Sequence, residues 1–180
     1  MKKAIVIYCS FTGNTKKVAD HIAGGLREGG CDVTVLSVKD AENVDLLEGY
    51  DLVCFGVPSI NWSIPKPAAD YLRKQFNDYI KEYGPIQPCT PVKPNRKALL
   101  FCTWSGPHTG MREAVPCMLS MEQYFQHLGF AIVDEWYVLS EFVGNIANST
   151  LGRMGDIRGL PTETELERIT QQARNIVVCL

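Results

Sequence analysis

Between Ser10 and Thr15 the chain reads SFTGNT, which sets four small hydrogen-bonding side chains (Ser10, Thr12, Asn14 and Thr15) around Gly13 within six positions. The stretch follows directly on the apolar run AIVIYC and precedes residues with helical spacing. At such a handover, unpaired N–H groups and the positive end of the helix dipole suit a phosphate dianion. Hydroxyls add neutral donors, and a glycine lets the backbone approach closely. The same residue types also cap helices. A cap needs one of them and four are present, so an anion is the stronger reading and capping alone the weaker.

Other phosphate chemistries do not match. A Walker A loop needs G-x-x-x-x-G-K-[ST], but Gly13 is followed by Asn14, Thr15 and Lys16 with no glycine five residues earlier. The dinucleotide pattern G-x-G-x-x-G is absent after the first strand. A C-x5-R phosphatase starting at Cys9 would need arginine at position 15, where Thr15 stands. Asp51 opens the third strand-like run, whereas a receiver domain would carry its acceptor aspartate at that strand's end.

Two more loops follow apolar runs. GVPSINWSIPKP (56–67) carries Pro58, Ser59, Ile60, Asn61 and Trp62, and TWSGPHTGM (103–111) carries Thr103, Trp104, Ser105, Gly106 and His108. Tryptophans at neighbouring strand ends would accept a planar ligand by stacking, or would simply cover the sheet edge. His108 is a weak candidate for proton donation to a bound group and otherwise a loop histidine with a structural hydrogen bond.

The elements that would position these loops alternate. Strands are expected at 3–9, 32–38, 51–57, 97–103 and 130–139; the first, third and fourth are almost continuously apolar, as in strands covered on both faces. Helices are expected at 15–28 (Val18, Ile22 and Leu26 inward, ended by Gly29-Gly30), 66–83 (Ala69, Leu72, Phe76 and Ile80 inward), 112–128 (Leu119, Tyr124 and Leu128 inward, irregular near Pro116) and 162–177. Thr162 and Glu165 have capping-box spacing. Residues 40–48 have room for a short helix, and 84–97 and 140–161 read as long loops. The alternation implies an α/β fold: one doubly wound parallel sheet between two helix layers, with residues 1–180 as a single domain. In such sheets ligands bind beyond the carboxyl ends of the strands, where all three unusual loops fall.

Composition agrees with a soluble chain, at 46% hydrophobic and 21% charged residues. The formal net charge of −2 argues against nucleic-acid or anionic-membrane partners. The run after Lys2-Lys3 is too short for a signal-peptide core, so a cytoplasmic location is expected. Seven cysteines without a C-x-x-C pair suit neither a disulfide framework nor a metal site; Cys9, Cys54 and Cys102 read as buried thiols.

SFTGNT is similar to the flavodoxin phosphate loop [ST]-x-T-G-x-T, and GVPSINWSIP resembles the flavin-flanking loop after the third strand of flavodoxin-like domains. The resemblance spans essentially the whole chain and implies strand order 2-1-3-4-5 and FMN as cofactor. It also implies that Ser10, Thr12, Gly13, Asn14 and Thr15 hold the FMN phosphate. Pro58, Ser59, Ile60, Asn61 and Trp62 would border one side of the isoalloxazine ring, and Thr103, Trp104, Ser105 and Gly106 the other.

Two roles follow from the resemblance. An electron carrier would pass electrons through FMN to a partner protein. A reductase would take hydride from NAD(P)H and deliver it to a quinone or other small acceptor, in a pocket that His108 could line. A flavin-free interaction module is disfavoured by the intact phosphate loop. Carrier flavodoxins are strongly acidic and this chain is nearly balanced. The loop 140–161, with Arg153, Asp156 and Arg158, exceeds the minimal fold and is expected to cover the site, to wrap a neighbouring subunit in a homo-oligomer, or to be a surface excursion.

Overall fold

A computed structural model describes the backbone of all 180 residues and every side chain except that of Cys179. Five strands form one parallel sheet: β1 (Lys3–Tyr8), β2 (Asp32–Ser37), β3 (Leu52–Pro58), β4 (Lys97–Trp104) and β5 (Ala131–Leu139). Their order is β2-β1-β3-β4-β5, as the resemblance implied, and each lies within a residue of its expected ends. The longer helices are α1 (Asn14–Glu28), α2 (Lys66–Tyr83), α3 (Val115–His127) and, after a short α4 (Ile146–Thr150), α5 (Glu163–Ile176).

The sheet is covered on both faces, which is why β1, β3 and β4 are so apolar. On one face Ile5, Ile7, Phe55, Leu100 and Cys102 pack against α2 and α3; on the other Ala4, Val6, Cys54, Leu99 and Phe101 pack against α1 and α5. Val18, Ile22 and Leu26 are all fully buried, so the inward stripe of α1 lies where its spacing put it. At the start of α5, Thr162 Oγ1 accepts from the Glu165 N–H while the Glu165 carboxylate accepts from the Thr162 N–H, closing the expected capping box.

Several local expectations are corrected. Helix α3 begins only at Val115, after a 3-10 turn at Gly110–Glu113, with Pro116 in its first turn. Its buried residues are Cys117, Met118, Met121 and Phe125; Leu119 points outward. On α2 the buried residues are Ala68, Tyr71, Leu72 and Gln75; Phe76 packs at the core's margin and Ile80 is exposed. Residues 40–48 form turns rather than a helix. There the Asp45 carboxylate accepts from the Leu47 N–H, and Gln75 Nε2 donates to the Val44 carbonyl at 2.9 Å. These bonds give the segment's polar backbone partners other than a helical ladder. The 140–161 excursion contains α4, whose N-cap Asn145 accepts from the Asn148 N–H.

Helices α1 and α5 meet at Gly25. A Cβ there would lie 2.0 Å from the Thr170 carbonyl oxygen, which is backbone and cannot rotate away, whereas a Cβ on Gly24 would meet open space. Gly25→Ala is therefore expected to lower stability by about 1–3 kcal/mol through overpacking. Gly24→Ala is expected to raise it by up to about 1 kcal/mol through helix propensity alone. Urea midpoints of the two variants test the contact; equal shifts would mean that the helices do not touch there.

Candidate functional site

The first loop joins the central strand β1 to α1. Gly13 occupies the N-cap position with φ of 98° and supplies no side-chain cap. Ser10 Oγ accepts from the Gly13 N–H at 3.2 Å, one residue ahead of the helix, and Lys17 N–H is the first to reach back, to the Gly13 carbonyl at 2.9 Å. The N–H groups of Asn14, Thr15 and Lys16 have no acceptor among the described residues, although Asn14 and Thr15 are buried. Four potential caps stand in this loop and none caps the helix. Unpaired amides on buried residues at a helix start call for an outside acceptor, and the dipole makes an anion the natural one. The loop itself carries no cation, and the ammonium of Lys16 in the following helical turn is paired with Asp20 on the exposed side of α1.

Hydrogen bonds tie this loop to its neighbours. Thr15 and Thr103 share a buried hydroxyl–hydroxyl bond of 2.7 Å, which joins α1 to the end of β4. Asn14 Nδ2 donates to the Glu141 carbonyl just beyond β5. Ser59 receives double anchorage: its N–H donates to the Thr103 carbonyl and its hydroxyl to the Glu113 carbonyl at 2.7 Å. Ser105 Oγ donates to the Ser140 carbonyl. Thus Ser59, Ser105, Thr103 and Thr15, all expected to face a ligand, also hold the loops together.

Between the loops lies a cleft of about 120 Å³ lined by Thr12, Asn14, Thr15, Pro58, Ser59, Ile60, Thr103, Trp104 and Ser105. It adjoins a second, of about 310 Å³, whose walls include Asn61, Trp62, Gly106 and His108. Together they have the size of a small-molecule site. Ser10 and Gly13 line neither cleft; they shape the loop from behind. The two tryptophans are unlike: Trp104 is buried, whereas Trp62 is 59% exposed at the rim. Asn61 and Trp62 both have positive φ, 48° and 61°, inside a tight turn closed by reciprocal Ile60–Ser63 backbone bonds. A bulky residue there is strained, and the turn spends that strain on holding Trp62 over the opening.

Gly106, at φ 56°, turns the third loop back so that the Gly110 N–H reaches its carbonyl; a Cβ on it would meet the Gly110 oxygen at 2.6 Å. The His108 ring makes no hydrogen bond among the described residues, which corrects the structural-bond alternative: it is the His108 backbone N–H that donates, to Glu113. Cys9 is buried and desolvation pushes its thiol up, away from the thiolate that a nucleophile requires.

Sequence reasoning missed Glu113 and the individual residues that wall the first cleft, although covering the site was one of the expectations for loop 140–161. The Glu113 carboxylate accepts from the N–H groups of His108 and Thr109 and so fixes the 107–110 turn. Phe11, Ser140, Glu141, Phe142 and Val143 complete the first cleft. The excursion is pinned to the third loop by Arg153 N–H donating to the Pro107 carbonyl at 2.7 Å, and closed at its base by Glu141 N–H donating to the Leu160 carbonyl. It therefore stands beside the site as a wall.

The flavodoxin family model matches residues 6–170. Among curated proteins, a flavodoxin of Maridesulfovibrio salexigens is 39% identical over 56 residues, 31% of this chain and 38% of that protein. An NAD(P)H dehydrogenase (quinone) of Archaeoglobus fulgidus is 38% identical over 74 residues, 39% of each chain. The chain thus spans well under two thirds of either relative. Of solved structures, oxidised flavodoxin 1 of Bacillus cereus superposes with a TM-score of 0.69 at 20% identity over 99% of both chains. A flavodoxin of Streptococcus pneumoniae gives 0.66 at 18% over the same shares.

The Thr15–Thr103 bond is the testable joint of this site. Thr15→Val and Thr103→Val are each expected to cost about 1–2 kcal/mol by leaving the other hydroxyl buried and unpaired. The double variant should cost less than their sum by about 1 kcal/mol in urea unfolding of the ligand-free protein, and strict additivity would show that the hydroxyls do not interact.

Proposed function

The chain belongs to the flavodoxin family, and from that premise we propose that it binds FMN across the two clefts and transfers electrons through it. The observation that carries this reading is the row of acceptorless N–H groups on Asn14, Thr15 and Lys16 at the start of α1. They fit a single phosphate held by dipole and neutral donors, with Thr12 the one hydroxyl of the loop left without an intrachain bond. The wall formed by Pro58, Ile60 and Trp104 suits a flat ring.

Bound FMN supplies reversible one- and two-electron chemistry. The chain's part is binding and orientation. On this reading Thr12 and the α1 amides anchor the phosphate, while Gly13 keeps the approach open and Ser10 holds it in shape. Pro58, Ser59, Ile60, Asn61 and Trp62 take one side of the ring, and Thr103, Trp104, Ser105 and Gly106 the other. Ser59 and Ser105 donate to backbone carbonyls, so their oxygens remain acceptors for a ligand N–H. Buried Trp104 and the excursion residues Phe142 and Val143 limit water on the inner side.

A second reading, NAD(P)H-dependent reduction of a quinone or similar small acceptor, is favoured by the adjoining cleft and by the unpartnered imidazole of His108 within it. The six described cysteines are unpaired, which supports a reducing, cytoplasmic setting. No described helix is long and apolar enough to cross a membrane.

Protein incubated with tens of micromolar FMN and desalted is expected to retain near-stoichiometric flavin absorbance. Thr12→Ala should weaken FMN roughly tenfold or more, the worth of one hydrogen bond to a charged group, and leave riboflavin nearly unaffected. Equal losses for both ligands would sink the phosphate assignment. Oxidation of NADH or NADPH by a quinone without any added protein would establish the second reading.

A further inference from the structure

Three tryptophans stand in the chain, and their indole N–H groups fare differently. Trp136 Nε1 donates to the Asp134 carboxylate at 2.8 Å. Trp62 is exposed, so water can serve it. Trp104 is 7% exposed, and its Nε1 is buried without an acceptor among the described residues. A buried donor left unpaired forfeits the hydrogen bond that water would have given it, and such an atom in a folded chain calls for an explanation. The Tyr71 hydroxyl is also unpaired, but Tyr71 lies on α2, stacked on Phe55 of β3, and lines neither cleft.

Trp104 belongs to the wall that the two clefts share, with Ser59, Ile60, Ser105 and Phe142. The two serines of this wall already donate elsewhere, to the Glu113 and Ser140 carbonyls. The indole is set from the side of the third loop. A Cβ on Gly106 would lie 2.7 Å from Trp104 Cζ3, so that edge packs on bare backbone. Nε1 is at the opposite corner of the indole, away from Gly106.

Strand alternation decides which part of a ligand lies nearest. Thr103 turns towards α1, where it bonds Thr15 beside the acceptorless amides. Trp104, the next residue, turns to the other face and joins the core beside Ala114 and Met118. A phosphate at the start of α1 is therefore across the end of the sheet from Trp104. What lies against the indole is the far part of the ligand, its ring.

We propose that the Trp104 indole N–H donates to an acceptor atom of the bound flavin ring, a carbonyl oxygen or a ring nitrogen, and thereby favours the reduced ring over the oxidised one. The proposal rests on the flavin-binding reading above. Because Nε1 is covered, the acceptor reaches it by displacing part of the wall. Ile60 and Phe142 are exposed side chains, so they give way without opening the core. A flavin ring gains electron density on its acceptor atoms when reduced, and a hydrogen bond strengthens as its acceptor becomes more negative. The donor is held by packing beforehand, so little ordering cost falls on the binding step.

The test reads the indole N–H resonances of nitrogen-labelled protein, assigned with Trp62→Phe and Trp136→Phe so that Trp104 itself stays unaltered. Saturating FMN and saturating riboflavin are each expected to move the Trp104 proton and nitrogen signals downfield. The Trp136 signal, already bonded to Asp134, should stay in place. Trp104→Phe is expected to weaken FMN and riboflavin by a common factor of roughly three to ten, the worth of one neutral hydrogen bond, whereas Thr12→Ala spares riboflavin. It should also lower the midpoint potential of bound FMN, because the reduced ring loses more. Benzothienylalanine at position 104 keeps the fused rings and replaces the N–H by sulfur, and it should reproduce both effects. A Trp104 signal that neither bound flavin moves overturns the proposal and leaves FMN binding intact. So does a benzothienylalanine variant with the parent's affinities and potential, which would reduce Trp104 to packing. Failure to bind FMN at all would instead remove the functional reading beneath it.

Discussion

The start of α1 is the constraint on which the rest depends. A helix whose first amides lack acceptors is unstable on its own account, because buried donors without partners forfeit hydrogen bonds that water would have supplied. The chain keeps that end open. Gly13 takes a left-handed conformation without a capping side chain, and Ser10 closes on Gly13 instead of reaching into the helix. What holds the helix in place is side-chain packing and bonding, not a cap on those amides. Gly25 lets α5 press against its second half, and Thr15 is locked to Thr103 on β4. The packing of one helix pair thus permits an unsatisfied terminus at the other end of the same helix, and that terminus is where an anion gains most.

The same economy runs through the other loops. Ser59, Ser105 and Thr103 look from their types like ligand-binding hydroxyls, yet each already bonds to a neighbouring loop. Their first effect is to set the spacing of the cleft; contact with a ligand uses the lone pairs that remain. A site built this way is organised before anything binds, which reduces the ordering cost at binding. The strained turn at Asn61 and Trp62 belongs to the same logic, since reciprocal Ile60–Ser63 bonds impose a backbone that a tryptophan would not choose.

The sheet, the phase of α1 and the capping box of α5 were legible because each depends on residues close in sequence. Continuous apolar runs could only be covered strands, and Val18, Ile22 and Leu26 define one face whatever lies opposite. Elsewhere the deciding partner was far away. Residues 40–48 form turns, and Gln75, on another element, takes the Val44 carbonyl. On α2 the polar Gln75 is buried while the apolar Ile80 is exposed, the reverse of what their types suggest. On α3, Pro116 sits in the first turn and the buried face runs through Cys117, Met121 and Phe125, so Leu119 falls on the far side. Glu113 was invisible for the same reason: its partners are backbone amides, and nothing in the sequence says which loop a carboxylate will cap.

Charge separates the interior of this site from its rim. At the start of α1 the chain offers dipole and neutral donors, with Lys16 turned to Asp20, so an anion there would meet fixed amides that need no desolvation of a competing cation. At the rim the charges stand in water and mix: Arg112 and Arg153 are exposed, with the carboxylates of Glu113 and Glu141 held by backbone amides. An arginine inside the loop would bind phosphate more tightly but would also draw free phosphate and unrelated anions. The excursion at 140–161 supplies a wall whose inner face, through Phe142 and Val143, is apolar, and Arg153 N–H donating to the Pro107 carbonyl fixes that wall to the third loop. One insertion therefore closes a cleft that the five-stranded sheet and its three strand-end loops leave open at the β5 side.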